Sequence, residues 1–154
     1  LDKNIIINSR FLRGLKWIKK LEGNYILYLL KNSENLDLTF QRFFINSKEK
    51  KILKDYLNIK NQLKNEKEKF LNLTPSNWTE LIEKNNLDEE TVKLLICDGN
   101  LFWQPFFKWL FVYKFIKSKK SGELLKSEGW KSGKEMGDEI KRLRYIEIDK
   151  IRRT

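Results

Sequence analysis

Apolar residues recur along the chain at spacings of three and four, which is the period of one face of an α-helix. One such face near the start of the chain is formed by Phe11, Leu12, Leu15 and Ile18. The short apolar run at 24–30 fits a strand or a helix, and its helical surroundings favour a helix. The pattern predicts an all-α protein, a multi-helical array of about seven to nine helices with no significant sheet.

Capping residues predict where several helices begin. Ser47 is expected to cap a long helix over residues 47–70, and Thr74, followed by a proline, starts another helix. Asp88 precedes acidic residues, which suit the positive end of a helix dipole. The aromatic run 101–116 predicts a buried central helix, because a bilayer span needs about 20 mostly apolar residues. We therefore expect no membrane partner.

Charge is distributed unevenly along the 154 residues, whose formal net charge is +11. Residues 1–71 carry a net +8, residues 72–116 carry −2, and residues 117–154 carry +5. A basic excess of this size favours a polyanionic partner, although a general lysine bias would produce it as well. We divide the chain into a helical body, 1–116, and a small helical tail, 117–154.

Several kinds of chemistry are excluded by composition. The chain has no histidine and a single cysteine, so it lacks His general bases, Cys–His nucleophile pairs and Cys/His zinc sites. Cys97 lies in an apolar run and is expected to be a small buried hydrophobe. The absence of any internal disulfide suits a cytoplasmic location. The chain begins without Met, so we interpret it as a piece of something longer.

Residues 122–143 hold four of the seven glycines of the chain. Gly129 is predicted to end a short helix in the left-handed conformation. Ser132 is predicted to cap the next helix, with Glu135 completing a capping box. Gly137 has no capping role, and we expect it to let this helix approach a neighbouring backbone closely.

Such a helical hairpin exposes backbone N–H groups at a helix N-terminus, and these groups attract phosphate. Nearby lysines would strengthen the attraction. The alternative, that the glycines serve tight packing and nothing else, stays open on sequence alone. The residues predicted to bind phosphate are Lys126, Lys131, Ser132, Gly133, Lys134, Lys141, Arg142 and Arg144. A second candidate basic patch consists of Arg10, Arg13, Lys16, Lys19 and Lys20. The glycines assigned a structural role are Gly122, Gly129 and Gly137.

The glycine segment resembles the C-terminal tail motif of bacterial tRNA nucleotidyltransferases and their poly(A) polymerase relatives. The matching positions are Gly122, Leu124, Leu125, Gly129, Trp130, Lys131, Gly133, Ile140 and Leu143. The segment departs from the motif at Ser132 and Lys134, both prolines in the usual pattern. A weaker resemblance covers residues 36–38 with the helix from Ser47, and the apolar helix over 103–116.

The resemblance implies the body and tail of a longer enzyme, which would hold the elbow of tRNA through its phosphates. The catalytic head of that family uses an Asp-x-Asp pair to hold Mg²⁺, and the chain contains no such pair. We therefore expect no catalytic residue, metal site or cofactor in this chain. Mg²⁺ and ATP or CTP are implied only for the absent head, which would be a partner domain of the same polypeptide. Whether the parent adds CCA, part of it or poly(A) stays open.

Two other functions remain open at this stage. A helix-hairpin-helix type module would bind duplex DNA with the same hairpin. A protein-interaction or structural helical domain would instead use exposed aromatic residues such as Trp17 or Trp130 as partner contacts.

Overall fold

The computed structural model describes residues 8–33 and 35–151. These residues form ten α-helices and one 3₁₀ turn, Tyr113–Phe115, and they contain no strand. The all-α prediction is confirmed, with one helix more than the upper end of the expected range. In chain order the helices are α1 (Ser9–Lys20), α2 (Tyr25–Leu30), α3 (Leu36–Arg42), α4 (Ser47–Asn65), α5 (Lys67–Leu71), α6 (Pro75–Lys84), α7 (Glu89–Cys97), α8 (Trp103–Phe111), α9 (Gly122–Ser127) and α10 (Lys134–Lys150).

Several helix starts lie where the caps predicted them. The Thr74 side chain accepts a hydrogen bond from the backbone N–H of Asn77, and the proline after Thr74 is the first residue of α6. The Asp88 carboxylate accepts from the backbone N–H of Glu90 at the start of α7. The apolar run at 24–30 is a helix, as its surroundings indicated.

Other boundaries differ from the prediction. The long helix expected over 47–70 is interrupted at Glu66, where φ is −113° and ψ is 32°, and α5 follows as a separate turn. Its cap is Asn46 rather than Ser47, because Asn46 and Glu49 exchange side chain-to-backbone hydrogen bonds in a capping box. The helix α3 was not predicted.

The aromatic segment is also shorter than predicted. Its helix, α8, ends at Phe111, and a 3₁₀ turn replaces the last turn expected before Ile116. The charged run 142–153 also predicts a final helix from the sequence; α10 covers it as far as Lys150, and residues 152–154 lie outside the described part of the chain. Within that part, no helix combines the length and apolarity that a bilayer crossing requires.

The helix α7 lies at the centre of the core and packs against α1, α4 and α8. Val92, Leu94 and Leu95 are completely buried. Cys97, at the end of α7, is buried too, and burial raises the pKa of its thiol to about 12, as expected for a packing residue. Leu12 departs from the predicted apolar face of α1, since its side chain is exposed.

One glycine allows α1 to pass close to the core. A Cβ on Gly14 would collide with the Tyr28 hydroxyl on α2 and with the carbonyl oxygen of Cys97. The same hydroxyl donates a hydrogen bond of 3.0 Å to the carbonyl oxygen of Phe11. The absence of a side chain at Gly14 thus lets α1 lie directly against Cys97, the last residue of α7.

A buried ion pair joins the end of α7 to α2. The Lys31 Nζ lies 2.6 Å from the Asp98 Oδ1, and the two side chains are only 3% and 11% exposed. The Lys60 Nζ approaches the other carboxylate oxygen of Asp98 at 3.4 Å. The rings of Tyr28 and Tyr56 lie 4.8 and 5.8 Å from the Lys31 Nζ.

The tail is anchored to the body by α10. Ile148 is completely buried and belongs to the same apolar cluster as the body helices. The Asp149 carboxylate accepts hydrogen bonds of 2.9 and 2.7 Å from the backbone N–H and the hydroxyl of Ser76. The second half of α10 is therefore packed on α6, whereas the stretch before it, residues 126–135, is exposed throughout.

Candidate nucleic-acid interface

The corner between α9 and α10 begins with a Schellman motif, the usual left-handed helix ending. Gly129 has φ of +94°, the left-handed conformation predicted for it. The N–H of Trp130 donates to the carbonyl of Leu125, and the N–H of Gly129 donates to the carbonyl of Lys126, both at 3.0 Å. These hydrogen bonds turn the chain sharply and direct residues 131–134 into solvent.

The N-terminus of α10 has no side-chain cap. Its N-cap residue is Gly133, with φ of +158°, so the prediction that Ser132 caps the helix and forms a capping box with Glu135 is wrong. The first N–H with a carbonyl acceptor in the helix is that of Gly137, which bonds to Gly133. The amides of the first three helical residues, Lys134, Glu135 and Met136, thus have no intrahelical acceptor.

The glycines of this segment have different roles from one another. The close backbone approach predicted at Gly137 is wrong, because a Cβ there would meet nothing within 4 Å. Contact between the two helices instead occurs at Gly122, where a Cβ would lie 3.7 Å from the Met136 Cε and 3.8 Å from the Ile140 Cδ1. Tight packing therefore does not explain why glycine occupies positions 129 and 137, where a side chain would meet no neighbour.

Three lysines surround this corner without engaging the rest of the protein. Lys126, Lys131 and Lys134 are exposed and form no ion pair with any described residue. Lys134 is the first residue of α10, next to the positive end of the helix dipole. A cation at that position is unfavourable for the folded protein by itself; Glu135 in the same turn offsets part of this positive charge, and a bound anion would offset more of it.

The other three cations predicted for the tail site form ion pairs within the protein. The Arg144 guanidinium donates to both carboxylate oxygens of Glu83, at 2.7 and 2.8 Å, and to the carbonyl of Ile116. Lys141 lies 3.0 Å from Glu80, and Arg142 forms a bidentate pair with Glu139. Arg144 thus fastens α10 to the body, and its guanidinium is turned away from the corner.

The second predicted patch lies on α1, near the other end of the chain. Arg13, Lys16 and Lys19 are exposed and make no ion pair with a described residue. Lys20 places its Nζ 5.4 Å from the centre of the Trp17 ring. Arg10 is different, because its guanidinium donates to the carbonyls of Asp98 and Gly99, at 2.8 and 3.1 Å, and so caps the end of α7. Most of the α1 patch is therefore available to an external anion.

One concave feature next to this patch was not predicted from the sequence. A cavity of about 290 Å³ lies between α1 and the α7–α8 junction. Its walls include Trp17 and Trp103, which are far apart in the chain, so spacing along the sequence gives no signal for the pair. In the described ranges, no three Asp, Glu or Cys side chains converge as a metal site would require.

The described residues form an all-α protein with two groups of exposed, unpaired cations, one at this corner and one on α1. Comparison with known protein families, with curated proteins and with solved structures finds no match for this chain. The resemblance to the tRNA nucleotidyltransferase tail therefore stays a prediction based on its motif residues.

Proposed function

We propose that the chain is an RNA-binding module that contacts the phosphates of a folded RNA, with tRNA as the first candidate, through the α9–α10 corner. The observation that carries the proposal is the combination at the start of α10. Uncapped amides, exposed backbone and the unpaired ammonium groups of Lys126, Lys131 and Lys134 all lie there. Helix N-termini bind anions through their amides and dipole.

The electrostatics of the chain support the same partner. Double-stranded RNA is recognised mostly through its phosphates and 2′-hydroxyl groups, which a lysine-rich helical surface without base-reading loops can contact. Such binding releases counterions, so the affinity should fall steeply as salt rises. The choice of tRNA over other folded RNA rests on the motif resemblance, which also implies that any nucleotide-adding activity belongs to a head domain outside this chain.

A binding titration with tRNA tests the proposal. The variant Lys126→Gln/Lys131→Gln/Lys134→Gln should bind on the order of a hundredfold more weakly than the wild type. Its slope of log affinity against log salt should be shallower by about two to three, because each phosphate contact contributes slightly less than one.

The matched control changes an equal number of exposed, unpaired lysines elsewhere. Lys54, Lys64 and Lys67 satisfy this condition on α4 and α5. Their substitution by Gln removes the same charge and should change the affinity far less. Equal losses from the two triple variants would mean that net charge alone attracts the RNA and would contradict a site at the corner. A duplex DNA competitor as effective as tRNA would favour the helix-hairpin-helix alternative.

Exposed apolar side chains on α2, on α3 and directly after α3 support a second candidate function, a protein contact. Ile26, Leu38 and Phe43 are each more than half exposed, and Phe44 is 93% exposed. Contact with another protein domain would bury them. This surface is separate from the corner in the sequence, so Phe44→Ser should leave tRNA affinity unchanged while reducing any self-association in sedimentation experiments.

A further inference from the structure

The cavity between α1 and the α7–α8 junction combines aromatic walls with positive charge. Trp17 and Trp103 line it, and each indole remains 38% exposed. Arg10 and Arg13 complete the lining together with small or buried residues, and the lining includes no acidic side chain.

The two indoles are held in place by a shared neighbour. The ring centre of Phe107 lies 6.4 Å from that of Trp17 and 6.1 Å from that of Trp103, and both pairs are edge-to-face. Edge-to-face packing of this kind fixes the orientation of aromatic rings. The tryptophans are thus positioned before any ligand arrives, which reduces the entropy lost on binding.

Two glycines lie in the cavity wall beside the charged groups. Gly14 forms part of its lining on α1, and Gly99, with φ of +61°, ends α7 in the left-handed conformation. The Arg10 guanidinium is fixed against the α7 terminus by its hydrogen bonds to the carbonyls of Asp98 and Gly99. Its charge is therefore presented from a rigid support, unlike that of a free surface arginine.

The size of the cavity and its surroundings limit what it can hold. Its volume of about 290 Å³ lies just below the range typical of small-molecule sites, about 300–1,000 Å³. One planar ring system fits such a volume better than an extended ligand. Arg13, which lines the cavity, and Lys20, whose Nζ lies over the Trp17 ring, have no ion pair and would face the negative charge attached to that ring.

We propose that this cavity binds one unpaired nucleotide of the RNA, with its base against Trp17 and Trp103 and its phosphate towards the cations of α1. The inference rests on the proposed RNA-binding function and adds which structural class of RNA the protein recognises. Bases inside a duplex are stacked and cannot enter such a cavity, whereas unpaired bases can stack on aromatic side chains. The module would therefore bind RNA in which an unpaired nucleotide adjoins a helix.

The test compares RNA duplexes that differ only in a single-stranded extension. One duplex carries a normal extension, and the second carries an abasic extension with the same phosphates, so their difference isolates the bases. The wild type should bind the normal extension about fivefold to a hundredfold more tightly, the range of base–aromatic stacking. Equal affinities for the two duplexes would overturn the inference without any substitution.

Variants locate the effect on the cavity. Trp103→Ala and Trp17→Ala should each lose most of this preference while keeping their affinity for a blunt duplex, and Trp103→Phe should retain much of it. The control is Phe115→Ala, which removes an aromatic side chain that is 67% exposed and outside the cavity. Circular dichroism confirms that each variant is folded.

The outcomes separate the two proposals. A preference that persists in both alanine variants would overturn the cavity assignment. Salt-dependent binding of the blunt duplex, without a preference for unpaired bases, would overturn the inference and leave the proposed function intact. Absence of binding to every RNA, in the wild type at low salt, would overturn both and would favour a protein segment as the occupant.

Discussion

Replacing Asp98 by Asn tests how strongly the buried ion pair supports the fold beneath the cavity. The substitution keeps the size of the side chain but removes the charge that faces Lys31, whose ammonium is 3% exposed and lies 2.6 Å from the carboxylate. Removal of one partner from a buried pair costs about 3–5 kcal/mol, because the other charge is left uncompensated. We expect a loss of this size in the free energy of unfolding.

Lys31 itself sets an upper limit on the loss. Releasing the proton of a lysine with an ordinary pKa of about 10.4 costs about 4.6 kcal/mol at a pH near 7, after which Lys31 itself carries no charge. Burial already lowers the pKa of Lys31, and Asp98 opposes that shift. Without Asp98 the folded-state pKa is lower still, so unfolding takes up a proton and the stability of the variant should increase as pH rises.

Urea unfolding followed by far-ultraviolet circular dichroism measures the effect. Asp55→Asn is the matched control, since Asp55 pairs with Lys51 on the surface of α4. Its loss should stay below about 1 kcal/mol, as for other exposed pairs. The double variant Lys31→Met/Asp98→Asn should recover most of the lost stability. A loss below about 1 kcal/mol for Asp98→Asn would refute the account of a buried, coupled pair.

Three further predictions follow from individual positions. Gly14→Ala should destabilise the protein by at least about 2 kcal/mol in urea unfolding, because the new methyl group collides with Tyr28 and Cys97. Gly137→Ala, in open space on α10, should instead stabilise the protein by about 0.5–1 kcal/mol. The reverse order of stabilities would contradict the packing described. Burial raises the pKa of Tyr28 from 10.0 to about 12. Between these two pH values the folded state keeps a proton that the unfolded state loses, so the stability of the protein should fall as pH rises. A phenolate absorbance titration in which all tyrosines ionise near the ordinary pKa would disprove this. Gly129→Ala, at φ of +94°, should cost about 1–2 kcal/mol in the same unfolding assay and weaken tRNA binding by loosening the corner; unchanged affinity would show that the left-handed turn does not position the site.

The all-α fold and most helix positions could be predicted from the sequence, because the spacing of apolar residues and the capping residues indicate the same helices. Thr74 and Asp88 were identified correctly, since each precedes a clear helical pattern. The failures at Ser47 and Ser132 have a common reason: an adjacent residue, Asn46 or Gly133, takes the cap position. Side-chain type alone does not determine which of two neighbours leaves the helix.

The candidate site was only partly predictable, because the partners of its cations come from distant helices. Arg144 and Lys141 looked equivalent to Lys131 in the sequence, yet Glu83 and Glu80 on α6 engage them across 61 positions of the chain. The glycine turn, in contrast, is a local feature, and Gly129 was assigned correctly. The cavity depends on long-range packing of α1 against α7 and on the contact of Trp17 with Phe107 on α8, which local patterns do not contain.

The central claim is that RNA phosphate binds at the uncapped start of α10, and a nuclear magnetic resonance titration tests it most directly. Isotope-labelled protein is titrated with tRNA while the backbone amide signals are followed. The amides of Lys134, Glu135 and Met136 should shift or broaden at the lowest RNA concentrations, together with that of Gly133. Signals that change only on α2 and α3, with the start of α10 unaffected at saturation, would contradict the claim.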